Sequence, residues 1–177
     1  MHSQELDIAG AYLIENYLHK DSRGLFNKSF SNNESILKGQ KFDIKEIYYS
    51  ISNKNVIRGM HFQAPPMDHE KLVYLTQGRI TDVLLDIRKN SPTYKQYTVI
   101  ELSAHANALF VPKGVAHGFL SKQDNTIVVY NQSTVYSSEH DNGILWNSFG
   151  YDWGLENPIL SDRDRSFKHL REFVTPF

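Results

Sequence analysis

The chain of 177 residues contains no cysteine. That excludes disulfides, thiolate metal sites and thiol nucleophiles together. It also lacks a basic excess, because 19 Lys and Arg face 20 Asp and Glu, a formal net charge of -1. A chain so balanced offers no electrostatic footprint for nucleic acid or an anionic membrane, and neither is expected as a partner. No run of about 18 apolar residues occurs, so no membrane-spanning helix is expected. The opening residues, MHSQELDIAGAYLIENYL, carry acidic side chains and lack the basic-then-apolar order of a signal peptide. A cytoplasmic location is the resulting expectation. No low-complexity segment, linker or repeat divides the chain, so residues 1–177 are expected to form one domain.

What is present is mostly strand. Short runs rich in β-branched and aromatic residues are broken by turn residues: FDIKEIYYSIS (42–52), NVIRGMHFQ (55–63), KLVYLTQGRITDVLLDIR (71–88, two strands meeting at Gln77-Gly78), YTVIEL (97–102), ALFVPKG (108–114) and TIVVYNQSTVY (126–136). Turn signals about every 8 to 12 residues predict an all-β sandwich or barrel, and a jelly roll with a ligand-sized interior is the leading choice. Helix is predicted in two short places only, NNESILKG (32–39) and SDRDRSFKHL (161–170, with Ser161 as N-cap).

Eight histidines are present. His2, His19, His69, His105, His140 and His169 sit among polar residues and read as surface groups. His61 differs, lying mid-strand between Met60 and Phe62, and so does His117, which follows the turn in VPKGVAHGF. A strand His followed by a turn His is the layout of a cupin metal site. Here Gln63 stands where the second His of the usual pair would be, and Glu70 as a third ligand is off-spacing, so no metal is expected. Two inward histidines without metal read as acid/base groups that titrate near neutral pH. Asp164 could orient one of them, yet Ser161-Asp-Arg-Asp164 has capping-box spacing, and spacing alone favours the cap. Alternation sets Tyr130 on one face with Thr126 and Val128, either as a core tyrosine or as a proton donor in a cleft. Lys71 opens its strand, where a lysine is usually solvated. Arg23, Arg58 and Arg163 suit phosphate oxygens, and no glycine-rich phosphate loop competes with them.

The stretches DSRGLF (21–26), NVIRGMHFQ (55–63), EKLVYLTQGRITDVLLDIRKNSPTY (70–94), LFVPKGVAHGFL (109–120), GILWN (143–147) and NPILSDRD (157–164) together resemble the dTDP-4-dehydrorhamnose 3,5-epimerase family. The resemblance implies a metal-free, cofactor-free cupin-like jelly roll. It implies an epimerase of a nucleotide-diphosphate-linked 4-keto-6-deoxy sugar that inverts C3, C5 or both, for a deoxysugar of the kind used in lipopolysaccharide or capsule. It implies His61 as base, Asp164 as its orienting carboxylate in place of the capping role, and Tyr130 as acid. Lys71 and His117 would lie near the 4-keto oxygen. Arg23, Phe26, Arg58, Gln63, Asp141 and Arg163 would contact substrate, and Tyr136 would stack on the nucleobase. A homodimer that exchanges N-terminal strands is implied too. The chain departs from the family pattern at Lys28, Glu46-Ile-Tyr48 and Ser148, which leaves thymidine, cytidine and guanosine diphosphate sugars all open. A ketoisomerase or a non-catalytic sugar-nucleotide-binding cupin are the alternatives, and Gln63 argues against the former. Strict alternation would turn Arg58 away from the face of His61, so a bulge at Gly59 is required if both are to meet one ligand.

Overall fold

The computed structural model describes residues 1–31 and 36–177. Thirteen strands are formed among them. β1 (Ser3–Glu5), β2 (Tyr12–Glu15), β3 (Tyr17–Asp21), β4 (Gly24–Lys28), β5 (Glu46–Ser52), β6 (Ile57–Gln63) and β7 (Lys71–Gln77) come first. β8 (Arg79–Asp86), β9 (Tyr97–Ser103), β10 (Asn107–Val111), β11 (Val115–Ser121), β12 (Thr126–Gln132) and β13 (Asp141–Gly143) follow. One sheet has the order β1-β2-β10-β7-β12-β5 and the facing sheet β13-β6-β11-β8-β9, while β3 and β4 form a separate hairpin. All the strand pairs are antiparallel. This is the expected all-β jelly roll.

The side-chain period of two decides where the cores sit. Val73, Leu75, Leu84, Leu109, Phe119 and Val128 point between the two sheets. Met60, Phe62, Val83, Leu85 and Leu120 point out of the back of the five-stranded sheet. That back is roofed by the C-terminal segment through Ile144, Phe149, Trp153 and Leu170. A third cluster of Tyr12, Ile14, Phe42, Leu72 and Phe110 covers the six-stranded sheet from outside. Strands β8 and β11 are therefore buried on both faces.

That double burial explains one difference from expectation. The run 108–114 ends as a strand at Val111, and residues 115–121 form β11, which shows no alternation because Ala116, His117 and Gly118 are all enclosed. The N-terminal arm, unreadable as sequence, supplies β1, β2 and half of the hairpin. The predicted helix at 32–39 lies partly outside the described residues, and its remainder, 36–39, is a turn. The predicted helix at 161–170 is a single turn, α1 (Asp162–Arg165), with a separate 3-10 turn at Leu170–Glu172. Between them the backbone is drawn into a bridge with Ile144, and the Lys168 carbonyl accepts from Leu145 N–H at 2.9 Å.

The expected irregularity at Gly59 is present. Along β11, His117 is opposite His61 but Phe119 is opposite Arg58, so one residue is gained on β6. Gly59 adopts φ +150°, and a Cβ there would stand 2.5 Å from the Gly118 Cα. Gly118 in turn has Met60 Sδ where its own Cβ would be, at 2.6 Å. The two glycines let β6 and β11 approach closely, and the gained residue turns Arg58 to the same side as His61.

Candidate active site

A cavity of about 260 Å³ opens between the sheets. The five-stranded sheet lends it Arg58, His61, Gln63, His117 and Asp141, and the six-stranded sheet lends Tyr48, Ser50, Lys71, Tyr130 and Gln132. Tyr136 and Arg163 close the rim from loop and helix.

His61 Nε2 lies 2.8 Å from Asp164 Oδ1. The other carboxylate oxygen of Asp164 accepts from Gly59 N–H at 3.2 Å. These donors, His61 first, outweigh burial and hold the Asp164 carboxyl below its ordinary range. An ionised carboxylate only accepts, so Nε2 carries the ring proton and Nδ1 keeps the lone pair. Burial pushes the His61 pKa below its ordinary value, against the pull of Asp164, so the ring is a neutral base at pH 7. The capping question is resolved by division. The Ser161 hydroxyl accepts from Asp164 N–H at 3.1 Å, as a cap should, while the Asp164 carboxylate turns to His61 instead of back to the cap.

Lys71 is buried, contrary to the usual fate of a lysine that opens a strand. It donates to the His61 carbonyl at 3.1 Å. Burial pulls its pKa down to about 8. A lysine held that far below 10.5 carries roughly 3 kcal/mol of penalty on its charged form. An anion forming beside it relieves that penalty, so the side chain favours a developing oxyanion over a neutral carbonyl.

His117 is enclosed and its Nε2 meets Asp82 Oδ2 at 2.8 Å. Burial pushes the Asp82 carboxyl up, and His117 opposes this. Each of the two inward histidines is thus committed to its own aspartate, and the Glu70 carboxylate accepts from the Ser133 hydroxyl. Among the described residues no three His, Asp or Glu side chains gather as a metal site.

Tyr130 enters from β12, opposite His61. Its ring stacks on Tyr48 (centroids 4.8 Å apart, 18° between planes) and meets His117 edge-on at 6.2 Å. Burial raises its pKa, so the phenol remains protonated. Toward the mouth, Arg163 donates to Asp141 at 2.6 Å, and the Tyr136 hydroxyl donates to the same carboxylate at 3.3 Å. Arg58 is held by Ser52 Oγ and the Ile51 carbonyl.

Three sequence expectations need revision. Arg23 and Phe26 lie on the β3–β4 hairpin, away from this cavity. Arg23 pairs with Asp21 and is 86 % exposed. Gln63 lines the cavity, but its amide is occupied: it donates to the Met67 and Val135 carbonyls and accepts from Ser137 N–H at 2.6 Å. His69, read as a surface group, is buried in the cavity wall. Burial and nearby Lys71 push its pKa down to about 2, and Gln63 Nε2 donates to its Nδ1 at 3.1 Å. Asp82 and Ser50 carry no signal in the sequence, and Tyr48 stands out there only as a departure from the family pattern; alternation along β5 places Tyr48 and Ser50 on one face.

A cavity with a carboxylate-held imidazole in one wall, a protonated phenol in the other and a depressed lysine beside them is a site suited to moving a proton on carbon next to a carbonyl. It is the site of an isomerase of the epimerase kind. A family model described as dTDP-4-dehydrorhamnose 3,5-epimerase matches residues 5–172. The enzyme of that name from Methanothermobacter thermautotrophicus is 40 % identical over 171 residues, 92 % of this chain and 91 % of that one. The crystal structure of the Bacillus anthracis enzyme with TDP and pyrophosphate bound is 40 % identical, with a TM-score of 0.90, and the match covers 95 % and 98 % of the two chains. A Legionella pneumophila 3,5-epimerase in complex with dTDP-4-keto-L-rhamnose is 31 % identical, with a TM-score of 0.91 over 98 % and 94 %. The chain belongs to the dTDP-4-dehydrorhamnose 3,5-epimerase family.

The paired shifts set a pH window. A base at His61 has to be neutral, above that group's lowered pKa, and an oxyanion partner at Lys71 has to be charged, below about 8. We expect kcat/KM for proton exchange to fall on the alkaline side with a midpoint near 8. In Lys71→Arg that limb should vanish, because guanidinium stays charged. A wild-type profile flat to about pH 9.5, beyond the free-enzyme lysine's transition, would contradict this assignment.

Proposed function

We propose that the protein epimerises a dTDP-linked 4-keto-6-deoxy sugar at C3 and C5. The observation that carries the reading is that base and acid enter one cavity from opposite sheets, His61 from β6 and Tyr130 from β12. Both C3 and C5 flank the C4 carbonyl, and only there does losing a proton give a stabilised enolate. His61 Nδ1 takes the proton from one face. The C–H electron pair moves toward C4, and its oxygen gains negative charge beside Lys71. Tyr130 O–H then protonates the carbon from the other face, which inverts it. His61 loses its proton to water and Tyr130 regains one. Arg58 and Arg163 hold the diphosphate and Tyr136 stacks on the base, so that binding far from the reacting carbon fixes the sugar for chemistry. No metal or redox cofactor takes part in this scheme. A ketoisomerase reading is disfavoured, since it would want a second base where the Gln63 amide is already committed.

In deuterium oxide, His61→Ala should abolish loss of the C3 and C5 proton signals while the fold survives. Tyr130→Phe should keep part of the exchange yet lose inversion, because only reprotonation needs the phenol. Exchange in the His61 variant at the wild-type rate, or equal loss of both processes in the Tyr130 variant, would remove these roles. Running the same assay with dTDP-, CDP- and GDP-linked sugars tests the base, and one exchanging centre instead of two would identify a single-site enzyme.

We also infer a homodimer. Among the described residues the β3–β4 hairpin pairs with no other strand, and it exposes Tyr17, Leu18, Leu25 and Phe26. Edge strand β5 exposes Ile47, Tyr49 and Ile51 on its outer face. Apolar surface on an unpaired edge is what a second copy would cover. In such a pair Arg23 and Phe26 could serve the partner's cavity. Sedimentation at micromolar concentration should give a dimer, and a monomer alone would contradict it.

A further inference from the structure

We propose that Tyr48 is a positioning residue for the acid Tyr130 and decides whether the enolate is protonated with inversion or with retention. The inference rests on the epimerase reading. Tyr48 and Tyr130 are direct register partners on β5 and β12, so both rings leave the sheet on the same face. They lie nearly parallel at 4.8 Å. The Tyr130 hydroxyl has one hydrogen bond among the described residues, a long one of 3.3 Å to Ser50 Oγ. A bond of that length does little to fix a ring about its χ angles. Orientation of the phenol therefore falls to the ring contacts, with Tyr48 flat on one side and His117 at an edge.

Tyr48 is itself anchored. Its hydroxyl accepts from Gln132 Nε2 at 2.6 Å, and Gln132 lies two residues beyond Tyr130 on β12. The pair of tyrosines is thus closed into a small frame by the strand that carries the acid. Removing the Tyr48 ring frees Tyr130 to swing off the reacting carbon. The enolate would then outlive its proton donor, and His61, already positioned at the reacting carbon, reprotonates it from the face from which the proton came. By that time His61 carries solvent deuterium. The product is starting sugar, deuterated and with unchanged configuration.

The test is proton NMR in deuterium oxide on wild type, Tyr48→Phe and Tyr48→Leu, reading the ratio of deuterated unchanged sugar to inverted sugar. Tyr48→Leu should raise this ratio about fivefold, the size commonly carried by one lost ring–ring contact. Tyr48→Phe keeps the stacked ring and should restore the ratio to within about twofold of wild type. Thermal melts confirm that each variant is folded. A Tyr48→Leu protein with a raised KM and the wild-type ratio would overturn the proposal, leaving Tyr48 as a plain wall of the cavity. A Leu variant that lost exchange and inversion equally would overturn it too. Wild type that exchanges no proton would sink the epimerase reading itself, and the role of Tyr48 with it.

Discussion

The contact between His61 and Asp164 joins residues 103 apart in sequence and sets the geometry of everything around the cavity. One carboxylate holds the imidazole with one oxygen and the Gly59 amide with the other, across the place where β6 gains a residue. Removing one member of such a pair would leave a buried polar group unmatched, at a cost of about 1–3 kcal/mol. The same contact pins the single turn α1 onto β6. Arg163 on that turn then reaches Asp141 and lies over Phe167, whose ring meets His61 edge-on. His61, the rim cation and the C-terminal segment are thus linked through one interaction.

The rest of the cavity follows a common electrostatic rule. Each buried aspartate is matched by an imidazole, Asp164 by His61 and Asp82 by His117, so each ring has a defined orientation. Lys71 differs: among the described residues its ammonium makes no ion pair and donates to the His61 carbonyl, with Asp141 and Asp82 acting on it only at longer range. That unmatched charge is costly in the empty site and becomes useful when an oxyanion appears beside it. His69 stays neutral in the same wall, so it adds no competing positive charge. Stability is given up at the one position where the chemistry needs a charge.

Much of this was legible in the residues. Short β-branched and aromatic runs broken by turn residues mark a sheet protein, a mid-strand His61 points to a site, and Gly59 two residues before it marks the bulge. The strand β11 was not legible, because burial on both faces erases the period of two and its centre is a glycine and a histidine. His69 was misread for a related reason: its polar neighbours make partners of their own, Asp68 with Lys113 and Glu70 with Ser133, and the ring between them turns inward. The dual role of the 161–164 turn could not be told from spacing, since a carboxylate three residues past a serine suits a cap equally well. Which of these two it serves is decided by a strand a hundred residues away. Arg23 and Phe26 match the family pattern, yet they lie on the β3–β4 hairpin and outside this cavity.

The most direct measurement compares Asp164→Asn with wild type for deuterium wash-in at C3 and C5. Substrate binding is followed in parallel, so that a loss of chemistry is separated from a loss of affinity. The amide nearly preserves shape but can no longer hold the imidazole as an ionised acceptor. Wash-in is expected to fall about a hundredfold, the scale of a lost general base, with binding and fold retained. Wash-in at the wild-type rate would contradict the claim that the aspartate-held His61 is the base.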